Sequence, residues 1–191
     1  MAAGEVRPVS RGDGARQRML EAALSVLDEA GLAGFTMEAV ARRAGASKAT
    51  LYRRWPTTGA LLVDAMDATY RPLPTPDTGS VAKDVTEILT AFVALLERTR
   101  FPRLLAAFID AAERDPALSE IHQDLTRRRR EPMLAVLQRG RDRGELPPDT
   151  DPELTTDLLT SPFFYRHFVA HRPIPRRMVG EVVARVLFPN N

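Results

Sequence analysis

Between Lys48 and Arg54 the chain sets two hydroxyls, Thr50 and Tyr52, among three cations, Lys48, Arg53 and Arg54. That mixture suits a polyanion: Lys and Arg displace counterions from phosphates, and Thr and Tyr hydroxyls hydrogen-bond phosphate oxygens. From Thr36 to Trp55 five basic residues (Arg42, Arg43, Lys48, Arg53, Arg54) stand against one acid, Glu38. A helical hairpin with a solvated basic face is the other arrangement that this spacing permits. Catalytic chemistry has much less to work with. There is no cysteine, histidines number three, and neither a GxSxG elbow nor a phosphate loop occurs. No cofactor and no metal are expected.

The elements that must position those side chains are short and strongly punctuated. Thr36 is a good N-cap for a helix whose apolar positions Met37, Val40, Ala41 and Ala44 recur at helical spacing. Gly45 stops it, because glycine takes the left-handed backbone that turns a chain out of a helix. Ser47 can cap a second helix from Lys48 to Trp55, and Pro56 ends it by pushing the preceding residue out of helical geometry. Leu51 and Ala44 can face each other across the pair, leaving Lys48, Thr50, Tyr52, Arg53 and Arg54 for the other faces. Two short helices joined by a glycine turn form a helix-turn-helix, whose second helix enters the major groove.

The order Gly34-Phe35-Thr36, then Ala39-Val40-Ala41-x-x-Ala44-Gly45-Ala46-Ser47, then Thr50-Leu51-Tyr52-x-x-Trp55-Pro56, then Ala60-Leu61-Leu62 resembles the DNA-binding domain of TetR-type transcriptional regulators. The resemblance spans roughly Ala15 to Tyr70 and stops there. It implies phosphate contacts from Thr36 and Tyr52 and puts Ser47, Lys48, Thr50 and Arg53 where that family touches DNA. Arg16, Trp55 and Thr57 complete the expected DNA-facing set. Thr58 stands where many members carry a lysine, so one charged phosphate contact is missing, and Gly59 weakens the start of the helix that follows.

Composition fits a soluble globular chain: 191 residues, 44% hydrophobic, 27% charged, with a net charge of +2. The basic character is therefore local to the hairpin. No apolar run reaches the length of about 18 residues needed to span a membrane, and the first residues lack a signal-peptide core, so a cytoplasmic protein without membrane contact is expected. The fold class is all-α, with no strand pattern.

Residues 1–12 read as an arm that either reaches nucleic acid or frays as an ordinary terminus. Residues 13–71 form the DNA-binding domain, with Asp13 capping a first helix striped by Leu20, Ala23, Leu24 and Leu27, and a fourth helix running to Tyr70. Three prolines in Pro72-Leu73-Pro74-Thr75-Pro76 break the chain. Residues 78–191 form a second helical domain. Its helices are expected over Val81 to Arg98, after Pro102 with Leu104, Leu105, Phe108, Ile109 and Ala112 inside, from Pro116 to Arg143 with an irregularity at Pro132, from Pro152 into a kink at Pro162, and after Pro175.

The resemblance implies that the last two long helices pair with a second copy, and Phe168, Val179, Val182, Val183 and Val186 are the expected interface. Physics gives a separate reason for a homodimer, since two reading helices about 34 Å apart recognise a palindrome far more specifically than one. Phe92, Leu96, Phe101, Leu105, Phe108, Met133, Leu137, Phe163, Phe164 and His167 either line a cavity for a small apolar or aromatic ligand, as the resemblance implies, or are plain core. His167 and His171 stand one helical turn apart, as metal-binding pairs do, with no third ligand in sight. The run Arg127 to Arg130 is a solvated face partnered by Asp124 or an anion site.

The expected function is a dimeric, ligand-responsive regulator, a repressor, that binds a double-stranded operator. Ligand binding in the second domain would shift the helix from Thr57 to Tyr70 and so change the spacing of the two heads. A helical protein-interaction module whose basic hairpin never meets DNA is the rival.

Overall fold

The periodicity of the sequence becomes helices throughout. The computed structural model describes residues 11–69, 73–99 and 101–188, and these contain nine α-helices, one π-helical turn and no strand. The proposed arm up to residue 10, together with Tyr70 and Pro72, lies outside the described residues.

The first four helices are α1 (Arg11–Ala30), α2 (Met37–Ala44), α3 (Lys48–Arg54) and α4 (Thr58–Thr69). Helix α1 begins at Arg11, so Asp13 sits inside its first turn instead of capping it. The first N–H groups of any helix are unpaired within it, which makes its exact start a weakly specified position. Met19, Leu20, Ala23, Val26 and Leu27 make the buried side of α1, against which α2 and α4 pack, while Leu24 is only half-buried. Leu20, Leu51, Leu61 and Leu62 are sealed from water, and each such burial stabilises by about 1.5–3 kcal/mol. The small apolar plug under the helix pair therefore outweighs any single polar contact on its surface.

The remaining helices are α5 (Val81–Arg98), α6 (Phe101–Ala112), α7 (Pro116–Asp142), α8 (Pro152–Phe164) and α9 (Met178–Leu187). By packing, the chain forms two compact units. One comprises residues 1–71 with 107–121, the other 72–106 with 122–191. The proline break does not announce that 107–121 belongs with the first unit. Gly59 shows the packing that this membership requires: a Cβ built on it would lie 2.3 Å from Ile121 Cδ1. A glycine that is poor for helix propensity is thus the residue that admits Ile121.

In the second unit α5 supplies Val85, Ile88, Leu89, Phe92 and Leu96 to a core completed by Leu159 and Phe163 of α8 and by Val179, Val183 and Leu187 of α9. Its N-terminus is held by carboxylates. Asp84 Oδ1 accepts from the Thr78 backbone N–H (2.9 Å) and hydroxyl (2.6 Å), and Glu145 Oε2 accepts from the Val81 N–H (2.8 Å). Ile109 departs from its expected core position and is exposed, because α6 buries Leu104 and Phe108 on the opposite side.

Pro132 lies within α7 and Pro162 within α8 without ending either helix. Pro162 cannot donate to the Leu158 carbonyl, and the chain proceeds through α8 into the π-helical turn Tyr165–Val169, where the Ala170 N–H reaches back to the Tyr165 carbonyl at 2.8 Å. No helix among the described residues is long and apolar enough to cross a membrane.

Candidate nucleic-acid interface

The α2–α3 pair and the start of α4 are built by three hydroxyl caps within a few residues of the groups they satisfy. Thr36 Oγ1 accepts from the Ala39 N–H at 3.1 Å, Ser47 Oγ from the Thr50 N–H at 3.1 Å, and Thr57 Oγ1 from the Ala60 N–H at 3.0 Å. Each such cap is worth about 1 kcal/mol. Gly45 turns the chain between α2 and α3 with φ 61°, and its N–H returns to the end of α2. Thr36, Ser47 and Thr57 are also exposed. A hydroxyl that accepts from a backbone N–H keeps its own proton, so a cap can donate to a phosphate oxygen at the same time. In Ser47 that oxygen also lies 2.9 Å from Thr50 Oγ1.

Helix α3 sorts its side chains cleanly. Leu51 is buried, Thr50 half-buried, and Lys48, Tyr52, Arg53 and Arg54 are exposed on the outer faces. Trp55 corrects the expectation of a DNA contact: it is 4% exposed, and its indole Nε1–H donates to Asp64 Oδ2 at 2.8 Å. The signal was its spacing, since Leu51 and Trp55 are one helical turn apart and so share the inner face. Asp64 went unnoticed in the sequence. The same Oδ2 accepts from Arg16 Nη2 at 2.7 Å, so one carboxylate on α4 ties down the end of α3 and the start of α1. Arg16 thereby reaches the surface half-buried and already paired.

Two of the surrounding cations are also held by carboxylates of the chain. Lys48 Nζ lies 2.6 Å from Glu38 Oε1, and Arg43 grips Glu29 with both terminal nitrogens, one of them at 2.8 Å. The hydrogen bond from Lys48 lowers the Glu38 pKa below its ordinary value, and the bond to Glu38 raises that of Lys48. Glu29 and Arg43 shift in the same opposite senses, chiefly through their mutual hydrogen bonding. Arg42 and Arg53 are exposed and have no ion-pair partner among the described residues. The outer face thus presents two unpaired cations, a paired lysine, and hydroxyls from Thr36, Ser47, Tyr52 and Thr57, a set suited to phosphate gripping and groove contact.

In the second unit the expected pocket and partner residues separate. Phe92, Leu96, Phe101, Met133, Leu137 and Phe163 are buried, whereas Leu105, Phe164 and His167 are half-buried. Phe108 is buried and counts with the first unit. The Phe164 ring lies 5.1 Å from Phe92 and 5.8 Å from Phe168, and His167 sits edge-on to Phe168 at 4.8 Å. An open cleft of about 470 Å³ occurs beside Pro162, lined by Pro162, Tyr165, Arg166, Arg172 and Met178 among others, and none of the ten expected residues lines it.

Val179 and Val183 turn into the core of their own chain, while Val182, Val186 and Phe168 stay half-buried. A stripe read from sequence is wider than the face that ends up inside. His171 has left the helix with φ 47°, so it shares no helical face with His167. The arginine run also divides. Arg127 and Arg128 pair with Asp124, Arg129 lies over the Phe101 ring at 5.2 Å, and Arg130 clamps α8 through Glu153 (2.6 Å) and Asp157 (2.5 Å).

Comparison with known proteins divides the chain near the proline-rich segment. Residues 19–65 match the model for bacterial regulatory proteins of the tetR family, and residues 75–186 that for the tetracyclin repressor-like C-terminal domain. The chain is 33% identical to the DNA-binding transcriptional repressor TetR of Mycobacteroides abscessus, over 94% of this chain and 95% of that one. It is 31% identical to the HTH-type transcriptional regulator AqdR of Rhodococcus erythropolis, over 93% and 86% respectively. The solved TetR family transcription regulator SCO0332 superimposes with a TM-score of 0.74 at 34% identity, covering 91% of this chain and 96% of that one. With an outward-facing cationic helix on a capped turn, and relatives that match along nearly the whole length, the chain belongs to the TetR family of DNA-binding transcriptional regulators.

Proposed function

We propose that the protein is a homodimeric repressor that lays one α3 in each half of a palindromic operator and leaves it when a small apolar or aromatic ligand binds. In this reading residues 13–71 meet DNA through Arg16, Thr36, Ser47, Lys48, Thr50, Tyr52, Arg53 and Thr57, in the cytoplasm where the operator is. Residues 78–191 hold the ligand and the second subunit.

The observation that carries the dimer is an apolar stripe left in water. Leu154, Leu158, Tyr165 and Val169 are each more than half exposed, and their spacing aligns them along one side of α8 and its π-helical continuation. A contiguous exposed apolar strip of this kind marks an interface, and a two-fold axis would lay it against its own copy. The half-buried Phe168, Val182 and Val186 lie on the same turn and on α9. The Phe92–Phe164–Phe168 ring cluster, with Leu96, Met133, Leu137 and Phe163 buried in the same unit and His167 edge-on to Phe168, supports an apolar ligand. Release needs only a few kcal/mol of differential affinity, provided that the ligand binds the DNA-incompetent state more tightly.

Light scattering on the full chain tests the dimer. The wild type is expected at twice the chain mass and Leu158→Glu at the chain mass, and a monomeric wild type overturns the proposal. Selection from a pool of random duplexes tests the operator: enrichment of a palindrome is expected, and its displacement in a screen of apolar and aromatic compounds identifies the ligand.

A further inference from the structure

Lys48 occupies an unusual electrostatic position. It is the first residue of α3, where the partial positive charge of a helix N-terminus disfavours a cation. Its compensation comes from Glu38, the one carboxylate between Thr36 and Trp55, which sits in the first turn of α2, where the same effect favours an anion. The two meet at 2.6 Å, with both side chains more than half exposed. Ammonium and carboxylate are thus each charged at neutral pH and already matched before DNA arrives.

From this geometry we propose that Glu38 is a specificity-determining residue, a built-in competitor that keeps Lys48 from gripping arbitrary phosphate. Sequence-independent affinity comes from displacing salt ions that condense on DNA when a protein cation takes their place. Lys48, neutralised by Glu38, gains a phosphate only by giving up that carboxylate, and it leaves the carboxylate unpaired beside a polyanion. The exchange gains little on random DNA. An ammonium has three donors, so on the operator Lys48 can keep Glu38 on one N–H and spend the others on acceptors at a base edge, where the gain depends on sequence. Glu38 therefore lowers the background more than the signal.

Glu38→Gln tests this, with binding to a mixed-sequence duplex followed across a salt series from about 50 to 200 mM. The expected result is mixed-sequence affinity raised about 3- to 10-fold at low salt, and a plot of log affinity against log salt steeper by about 0.9 per subunit, one counterion exchange regained. Affinity for the selected palindrome rises less, so the discrimination ratio falls. In a Lys48→Gln background the same change at Glu38 leaves the slope unaltered.

An unchanged slope in the single variant, or an equal change in the Lys48→Gln background, overturns the proposal. The second outcome would make Glu38 a general negative charge and nothing more. Glu38→Asp, with its shorter reach to Lys48, gives an intermediate slope and serves if the amide variant melts early. The slope arm needs no operator, so a failed palindrome search and a passive Glu38 are distinguishable.

Discussion

The α2–α3 pair and the α8–α9 region of the second unit are both short helices around a bend, and they are specified at different ranges. In the first, each bend is set by a residue within four positions of the group it satisfies: Thr36 for Ala39, Ser47 for Thr50, Thr57 for Ala60, and Gly45 for the end of α2. In the second, α8 and the π-helical turn that follows it are held by partners far along the chain. Phe164 rests on Phe92, Arg130 holds Glu153 and Asp157, and Glu97 accepts from the Ile174 N–H at 3.3 Å. The bends of the first pair are therefore written into its own few residues, although α1 and α4 still supply the core on which it rests. Geometry held from a distance can be shifted from a distance, which suits the ligand-responsive role proposed for this unit.

The largest expected effect is in the distant-partner region. Phe163→Ala removes a ring sealed between α5, α8 and α9 and should cost about 3–5 kcal/mol in denaturant unfolding, with operator binding lost through unfolding. If the stability loss is below about 1 kcal/mol, the core of the second unit is not where this account puts it.

Gly59→Ala comes next, because it attacks a contact of the first unit that is not local. The added methyl meets the Cδ1 end of Ile121; that side-chain end has to turn aside, which places the cost in the lower part of the overpacking range, about 1–2 kcal/mol. Ile121→Ala should relieve the clash, so Gly59→Ala should lower the melting temperature less in an Ile121→Ala background than in the wild type, and an equal drop in both would remove Ile121 from the explanation.

Ser47→Ala is smaller, about 1 kcal/mol. Its DNA affinity should fall with little change in the fold of the second unit, as followed by near-UV dichroism. A loss confined to stability would mean that Ser47 caps α3 without touching phosphate.

The smallest effect concerns acid. Glu145 is held below its ordinary pKa, first by the Val81 N–H and then by Arg143. A carboxylate with a depressed folded-state pKa contributes stability that is complete above its unfolded value of about 4.3 and is lost as pH falls through the folded value. Glu145→Gln should therefore flatten the acid limb of the stability curve below about pH 4.5. An acid limb identical to wild type would show that the α5 anchor does not depend on that charge.

Much of the reading head was legible because its information is dense and local. Thr36, Gly45, Ser47 and Pro56 are residues whose own chemistry starts or stops a helix. Trp55 was placed with the DNA-facing set, and the carboxylate that receives its N–H, Asp64, is nine positions away with nothing in its surroundings to mark it. The expected valine stripe of α9 shows a different limit. Periodicity says that Val179, Val182, Val183 and Val186 share a broad face, but it cannot say that the first and third turn inward toward α5 and α8 while the others stay at the rim.

Left to itself, then, the amino-acid sequence determined the helices, the capped ends of α2 and α3 and the cationic outer face of α3, because capping, helical period and charge act within about one turn of chain. The tertiary structure alone decided which cations are already paired, why Gly59 lacks a side chain, that His171 leaves the helix and which side of α8 remains in water. Those outcomes depend on groups tens of residues apart meeting at hydrogen-bond or van der Waals distance, and no local rule encodes which distant partner arrives.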